Sequence, residues 1–299
     1  MFAWNRDTLS YARDGADWPN REASAFVDAG VFNWHVQRMG TGPELFMLHG
    51  TGASTHSWEA LAPLLAKRFH VTAPDLPGHA FTSSKTAPEL SLPTMARAVA
   101  GLLTALDCRP EIVVGHSAGA AILARLCLDG TIAPKLFVSL NGALLPFEGG
   151  ARFLFPSIAK LLFLNPLAPR FFAWQADEAA VANLLRGTGS KIGRRGVKLY
   201  ARLLSNPGHV AGALGMMANW DLTDLRRSLP GLKAKALLIV GQDDKAVPPR
   251  GAESIAAEIP GAVVETIRHA GHLAHEEHPD QVCELILRYA RQAGALAEQ

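Results

Sequence analysis

The stretch Val113-Val114-Gly115-His116-Ser117-Ala118-Gly119 leaves the chain few folds to choose from. An apolar run, Ile112 to Val114, leads into it, and small residues and leucines, Ala118 to Leu128, lead away. The pattern predicts a strand, a one-residue turn and a helix, with Ser117 alone on the turn. Glycines two residues to either side complete G-x-S-x-G, the nucleophile-elbow pattern. Such a turn forces its central residue into a strained backbone conformation. Side chains at Gly115 and Gly119 would collide as strand and helix close on each other. The hydroxyl is lifted above the sheet at a helix N-terminus, where the dipole and free N–H groups favour a developing anion. Five residues can match by chance, so the rest of the chain has to supply the context.

Strand and helix patterns alternate on both sides of the elbow. Val31 to Gln37 alternates apolar and polar residues and is expected to be a half-exposed strand. Glu44 to Leu48 reads as a short buried strand, Trp58, Leu61, Leu64 and Leu65 recur at helical spacing, and Phe69 to Ala73 reads as a strand. Ser91 is placed to N-cap a helix running to about Leu106, and Leu136 to Leu140 is the next buried strand. The pattern resumes late, with strand Ala236 to Val240, helix Gly251 to Glu258, strand Val263 to Ile267 and a final helix striped by Val282, Leu285, Ile286 and Tyr289. This order implies an α/β fold, a mostly parallel central sheet with helices on both faces. Residues 1–28 are expected to form an irregular N-terminal arm, and 29–141 with 221–299 the core. Residues 142–220 break the alternation and are expected to be an inserted helical cap over the strand ends. There Pro156, Pro166 and Pro169 would cut Phe153 to Trp174 into short helices, followed by helices over Ala179 to Arg186 and Gly196 to Ser205.

Composition excludes several classes. Hydrophobic residues make up 48% and charged residues 19% of 299, which supports a large core rather than disorder. A net charge of +2 carries no footprint for nucleic acid. Cys108, Cys127 and Cys283 are scattered, with no C-x-x-C, so neither a disulfide framework nor a zinc knuckle is expected; Cys127 and Cys283 fall in helical apolar patterns as core thiols. The first twenty residues lack the apolar core of a secretory signal, and no run of ~20 uncharged apolar residues exists. A cytoplasmic protein is the expectation. The expected cap is lopsided, with Arg152, Lys160, Arg170, Arg186, Lys191, Arg194, Arg195, Lys198 and Arg202 against Glu148, Asp177 and Glu178. A solvated basic face is the ordinary explanation. Contact with an anionic ligand, an acidic partner or a membrane surface is the sharper one.

Three further loops carry chemistry. His49-Gly50-Thr51-Gly52-Ala53-Ser54 follows a strand and lets backbone N–H groups approach a ligand. Beside an elbow, such a loop supplies half of an oxyanion hole, here the N–H of Thr51, with the N–H of Ala118 as the other half. Neither a Walker A nor a dinucleotide fingerprint is present, and no cofactor is expected. In Pro74-Asp75-Leu76-Pro77-Gly78-His79, Asp75 is best read as organising its own loop. A serine nucleophile needs a base, and the base needs an orienting acid. Gly241-Gln242-Asp243-Asp244 and Arg268-His269-Ala270-Gly271-His272 both follow strands, so acid and base candidates fall at the carboxyl edge of the sheet, where open α/β sheets place their sites. His269, His272, His275 and His278 recur every third residue, but H-E-x-x-H spacing is absent and no metal site is expected.

Taken together, His49-Gly50-Thr51-Gly52, Asp75-Leu76-Pro77-Gly78-His79, Gly115-His116-Ser117-Ala118-Gly119, Asp244 with Val247-Pro248, and Gly271-His272 resemble the α/β-hydrolase superfamily over roughly residues 30–290. The resemblance implies Ser117 as nucleophile, His272 as base and Asp244 as acid, with Asp243 as the fallback, acting on a small-molecule carbonyl substrate. Ala80 stands where the family usually has glycine. Trp18-Pro19-Asn20, His49 to Trp58, Leu140-Asn141-Gly142-Ala143 and Gly271 to Glu277 further resemble the magnesium-chelatase accessory hydrolases of bacteriochlorophyll biosynthesis. That likeness implies a role near magnesium insertion, either as a hydrolase whose carbonyl substrate is a tetrapyrrole or as a non-catalytic porphyrin-binding or chelatase-assisting protein on the same scaffold, with a general carboxylesterase as the third reading. It also implies contact with magnesium chelatase, and a location at the edge of the photosynthetic membrane.

Overall fold

Strands of five residues buried on both faces form the centre of the molecule: β6 (Ile112–His116) and β7 (Leu136–Leu140) expose nothing. The computed structural model describes residues 9–146, 162, 165 and 167–297. The other strands are β1 (Ser24–Ala29), β2 (Phe32–Met39), β3 (Glu44–Leu48), β4 (His70–Pro74), the two-residue β5 (Ser83–Ser84), β8 (Lys235–Gly241) and β9 (Val263–Ile267). Among the described residues they make one nine-stranded sheet in the order β1-β2-β4-β3-β6-β7-β8-β9, with β5 paired to β2. The run from β4 to β9 is parallel, and β1, β2 and β5 pair antiparallel. This is the α/β-hydrolase fold, a mostly parallel sheet with helices on both faces.

Period-two alternation sorts each strand between two cores. Phe46, Leu48, Val113 and Phe137 face helices Leu92–Ala105 and Ala118–Leu128. Leu45, Met47, Val114 and Val138 face helices Leu61–Leu65 and Pro279–Gln292.

Several expectations need correction. The irregular arm ends before residue 28, because Ser24–Ala29 is already β1, joined to β2 by a tight turn at Gly30. Its outward residues include Phe26, so it lacks the clean alternation that marks a strand. β2 is not half exposed. It lies between β1 and β4, and residues 9–23 cover its outer face: Gln37 Nε2 donates to Pro19 O at 2.6 Å, and the Tyr11 ring lies 5.1 Å from that of His35. Ser91 occupies the N-cap position, but its hydroxyl bonds Glu89 and Thr94 instead of a helix amide. Between β7 and β8 run helices Ala168–Gln175, Glu178–Gly187, Arg194–Leu204, Pro207–Ala218 and Thr223–Ser228. Pro169 sits in the first turn of its helix and starts it rather than cutting it. The expected breaks at Pro156 and Pro166, and the charges of Glu148, Arg152 and Lys160, lie outside the described residues. No helix among the described residues is long and apolar enough to cross a membrane.

Candidate active site

Ser117 stands between β6 and helix Ala118–Leu128 at φ 51°, ψ −119°, the strained conformation an elbow requires. Its N–H donates to Leu140 O on β7 at 3.0 Å, which pins the turn to the neighbouring strand. A side chain on Gly115 would collide with the Ala120 backbone, and one on Gly119 with the carbonyls of Leu48 and His49. Both glycines are therefore set by close approach. A β-carbon on Gly50 would lie 2.9 Å from the Ser117 β-carbon, so the glycine-rich loop after β3 runs directly beside the serine.

The acid and base loops meet. His272 Nδ1 donates to Asp244 Oδ2 at 2.9 Å. Asp244 is buried, whereas Asp243 is exposed and makes no bond to His272. The Asp244 carboxylate is held by the amides of Ala246 and Val247, which donate to Oδ1 at 2.8 and 2.9 Å, and by Asn141 Nδ2, which donates to Oδ2 at 2.8 Å. With Nδ1 carrying the proton, Nε2 is the nitrogen free to accept one. The ring of His116, next to Ser117, lies 4.7 Å from that of His272, and His116 Nε2 donates to His272 O at 2.9 Å. Serine, imidazole and carboxylate loops thus share one edge of the sheet.

The glycine-rich loop is fixed by two histidines whose tautomers follow from their partners. His49 Nε2 accepts from Leu76 N at 2.9 Å, so its Nδ1–H donates to Gly50 O at 2.8 Å. His209, from helix Pro207–Ala218, accepts from Ala80 N at 3.0 Å through Nδ1 and donates to Gly52 O at 3.1 Å through Nε2. Burial holds both rings neutral, pushing His209 down to about 4. Among the described residues neither the Thr51 nor the Ala118 amide donates to a protein acceptor. Asp75 organises its loop: it accepts from Thr55 N at 2.7 Å and Phe81 N at 3.2 Å and bonds His35 Nδ1 at 2.7 Å. Ala80, which replaces the usual glycine, keeps the left-handed φ of 41°.

Of the four histidines spaced by three, His269 is exposed, His275 is buried against His116 and Trp58, and only His272 bonds a carboxylate oxygen within 3 Å. Among the described residues no group of three or more His, Cys, Asp or Glu could hold a metal ion. The three thiols are free, and burial raises each to about 11 or 12, which keeps them protonated. Sequence reasoning missed Asn141 and His209. Asn141 directly follows a buried strand, and its left-handed φ of 47° is a conformation asparagine tolerates, which is the one local signal it gives. His209 had none, since its partners lie more than 120 residues away.

The model of the alpha/beta hydrolase family matches residues 45–285. A Rhodobacter capsulatus protein named magnesium-chelatase 30 kDa subunit is 40% identical over 278 residues, which cover 91% of this chain and 96% of that protein. The pimeloyl-(acyl-carrier protein) methyl ester esterase of Xanthomonas campestris is 30% identical over 263 residues, 85% of this chain and 98% of that one. Among solved structures, an α/β-hydrolase fold protein from Burkholderia ambifaria superposes with a TM-score of 0.74 at 21% identity, over 89% of this chain and 99% of that one. With the family match spanning most of its length and the sheet, elbow and loops in the family's arrangement, the chain belongs to the alpha/beta hydrolase family.

Proposed function

We propose that the chain is a cofactor-independent serine hydrolase acting on an ester or related carbonyl. Ser117 Oγ attacks the carbonyl carbon and its proton passes to His272 Nε2. The oxyanion is held by the N–H groups of Thr51 and Ala118, each worth about 3 kcal/mol of barrier in such sites. His272 then protonates the leaving alkoxide, and a water molecule repeats the sequence on the acyl-Ser117. Asp244 keeps the His272 proton on Nδ1 and stabilises the imidazolium. The observation that carries this reading is the 2.9 Å bond between His272 and a carboxylate whose other partners are all neutral donors. In the same reading, residues 142–220 act as a cap over a core that takes in β1 (Ser24–Ala29), 29–141 and 221–299, with the arm ending before β1. A fluorophosphonate probe is expected to label the wild type and not Ser117→Ala; labelling that survives the substitution overturns the assignment.

The physiological substrate is inferred from the relatives' names. One relative is named an esterase of methyl esters and another a subunit of magnesium chelatase. A tetrapyrrole ester beside the magnesium-insertion step of bacteriochlorophyll biosynthesis joins the two. The word subunit also favours a second reading, a hydrolase scaffold that binds a porphyrin or assists the chelatase without turnover, with the basic insertion as the face that meets the chelatase or a membrane surface. Fluorescence titration with protoporphyrin separates them. Binding unaffected by Ser117→Ala and lost when insertion arginines are replaced favours the second. Turnover of simple esters with no tetrapyrrole binding favours a general carboxylesterase.

A further inference from the structure

Asp244 and His272 sit on different loops, yet one short segment touches the neighbours of both. It is Thr188–Lys191, between helices Glu178–Gly187 and Arg194–Leu204. On the acid loop, Lys245 N donates to Thr188 O at 3.1 Å. Gly189 lies so close to Asp243 that any side chain at 189 would collide with the Asp243 carbonyl, and its φ of +87° further favours glycine. On the base loop, a side chain at Gly271 would collide with the Gly189 and Ser190 backbone, and Leu273 N donates to Ser190 Oγ at 3.0 Å. Lys191 N donates to Glu277 Oε2 at 3.0 Å, and Glu277 Oε1 accepts from Gly271 N at 2.9 Å. Three consecutive residues of the insertion, Thr188, Gly189 and Ser190, therefore touch the residue before and the residue after both Asp244 and His272, and Lys191 reaches the base loop through Glu277.

The hydroxyls of the segment form a chain with a fixed direction. Thr188 Oγ1 donates to Leu185 O at 2.6 Å, so at its 2.9 Å contact with Ser190 Oγ it accepts. Ser190 thereby spends its one proton on Thr188 and presents a lone pair to Leu273 N–H. Ser190 is buried, with 1% of its surface exposed, so water does not replace it as acceptor. The end of helix Glu178–Gly187 is thus wired to the amide that follows His272.

We propose that Thr188–Lys191 is a positioning clamp that holds the Asp244 and His272 loops in register, with Ser190 as the positioning residue of the base loop. The inference rests on the reading of Ser117, His272 and Asp244 as a hydrolytic triad. It makes the insertion part of the support of the acid–base pair, so that a shift of these two helices moves both loops together.

Ser190→Ala and Thr188→Val each break the hydroxyl chain, and Thr188→Ser keeps it. Two readouts are taken on the full chain. One is the rate of fluorophosphonate labelling across pH. The other is the low-field proton resonance of His272 Nδ1–H, identified by its loss in His272→Ala and independent of Ser117. Ser190→Ala and Thr188→Val are expected to label about ten-fold more slowly, because a small misplacement of a catalytic group is costly. Their pH inflection should shift and their low-field resonance move or broaden, with unchanged circular dichroism. Thr188→Ser should restore all three. Wild-type rate, pH profile and resonance in folded Ser190→Ala overturn the clamp; if that variant fails to fold, the same result in Thr188→Val does so. Ser117→Ala separates the two failures. Labelling that persists in it sinks the triad and the clamp with it, whereas labelling lost there but intact in Ser190→Ala sinks the clamp alone.

Discussion

Asn141 shows how the pairing of Asp244 with His272 depends on a buried residue beside them. Its amide donates both to Asp244 Oδ2 and, at 3.3 Å, to Gly271 O, so it ties the acid to the base loop. Removing it leaves Asp244 with one buried donor fewer and its rotation less constrained. Asn141→Ala and Asn141→Gly should both label with fluorophosphonate about ten-fold more slowly. Because residue 141 has a left-handed φ of 47°, the alanine variant should also melt lower than the glycine variant by the cost of that conformation, about 1 kcal/mol. Equal labelling by all three proteins would show that the two backbone amides alone fix Asp244. Glu276 gives a residue-scale test of stability. Burial pushes its carboxyl up to about 8 from an ordinary 4.5, although Tyr200 Oη donates to it at 2.7 Å. Between these values the folded chain keeps a proton that the unfolded chain has released. Stability from this group is therefore full below pH 4.5 and falls as pH rises to 8. Taken as the difference from Glu276→Gln, in which the histidine contributions cancel, urea unfolding of the wild type should lose up to ~1.4 kcal/mol per pH unit between pH ~6.5 and ~8.

Helix Pro207–Ala218 decides the sign of a substitution that propensity alone would get wrong. Glycine inside a helix costs about 1 kcal/mol relative to alanine, so Gly212→Ala should stabilise an isolated helix. In the fold, a side chain at 212 would collide with the Gly78 carbonyl, because this helix lies directly on the Pro77-Gly78-His79 loop. Neither backbone can yield without breaking the two bonds of His209. Gly212→Ala is therefore expected to destabilise by about 1–3 kcal/mol, read as a lowered melting temperature, with faster hydrogen exchange in the residues 50–53 loop. A rise in melting temperature would mean that the helix can lift away freely. Elements with a strong local period are legible in the sequence alone. Strands β3, β6, β7 and β8 show as apolar runs, the elbow as its two glycines, and the acid and base loops as polar residues directly after a strand. β1 is not legible in this way, since an edge strand with Phe26 exposed carries no clean alternation. Thr188–Lys191 is illegible for a different reason. Its contacts reach residues 83 and 86 positions further along the chain, and no local pattern encodes a partner at that distance.

At the scale of the molecule, the carboxyl edge of the sheet is packed with imidazoles that the fold requires to be uncharged. Burial lowers His49, pushes His79 and His116 well down, and takes His209 to about 4 and His56 and His275 to about 3. They lie in the layer between the strand ends and the helical insertion: the His79 ring meets those of His49 and His209 edge to face, and the His116 ring lies tilted against those of His272 and His275. All six are depressed from an ordinary 6.5. Above that pH both folded and unfolded chains hold these rings neutral, and stability is full. As pH falls from 6.5 towards 4 the unfolded chain takes up protons that the folded chain refuses, so every one of the six contributes in the same direction. Glu276 opposes them with a single proton. Unfolding should therefore take up several protons near pH ~5, and the urea midpoint should drop steeply between pH ~6.5 and ~4.5, above the range in which ordinary carboxylates titrate. His275→Phe, which keeps a ring against His116 and Trp58, should remove about one proton from that uptake, or up to ~1.4 kcal/mol per pH unit. A midpoint that stays level from pH ~7 to ~5 would mean that the histidine layer opens to water before the sheet unfolds. The fold would then lose the carboxyl edge of the sheet first, with β3, β6 and β7 still paired, and hydrogen exchange would report the two steps separately.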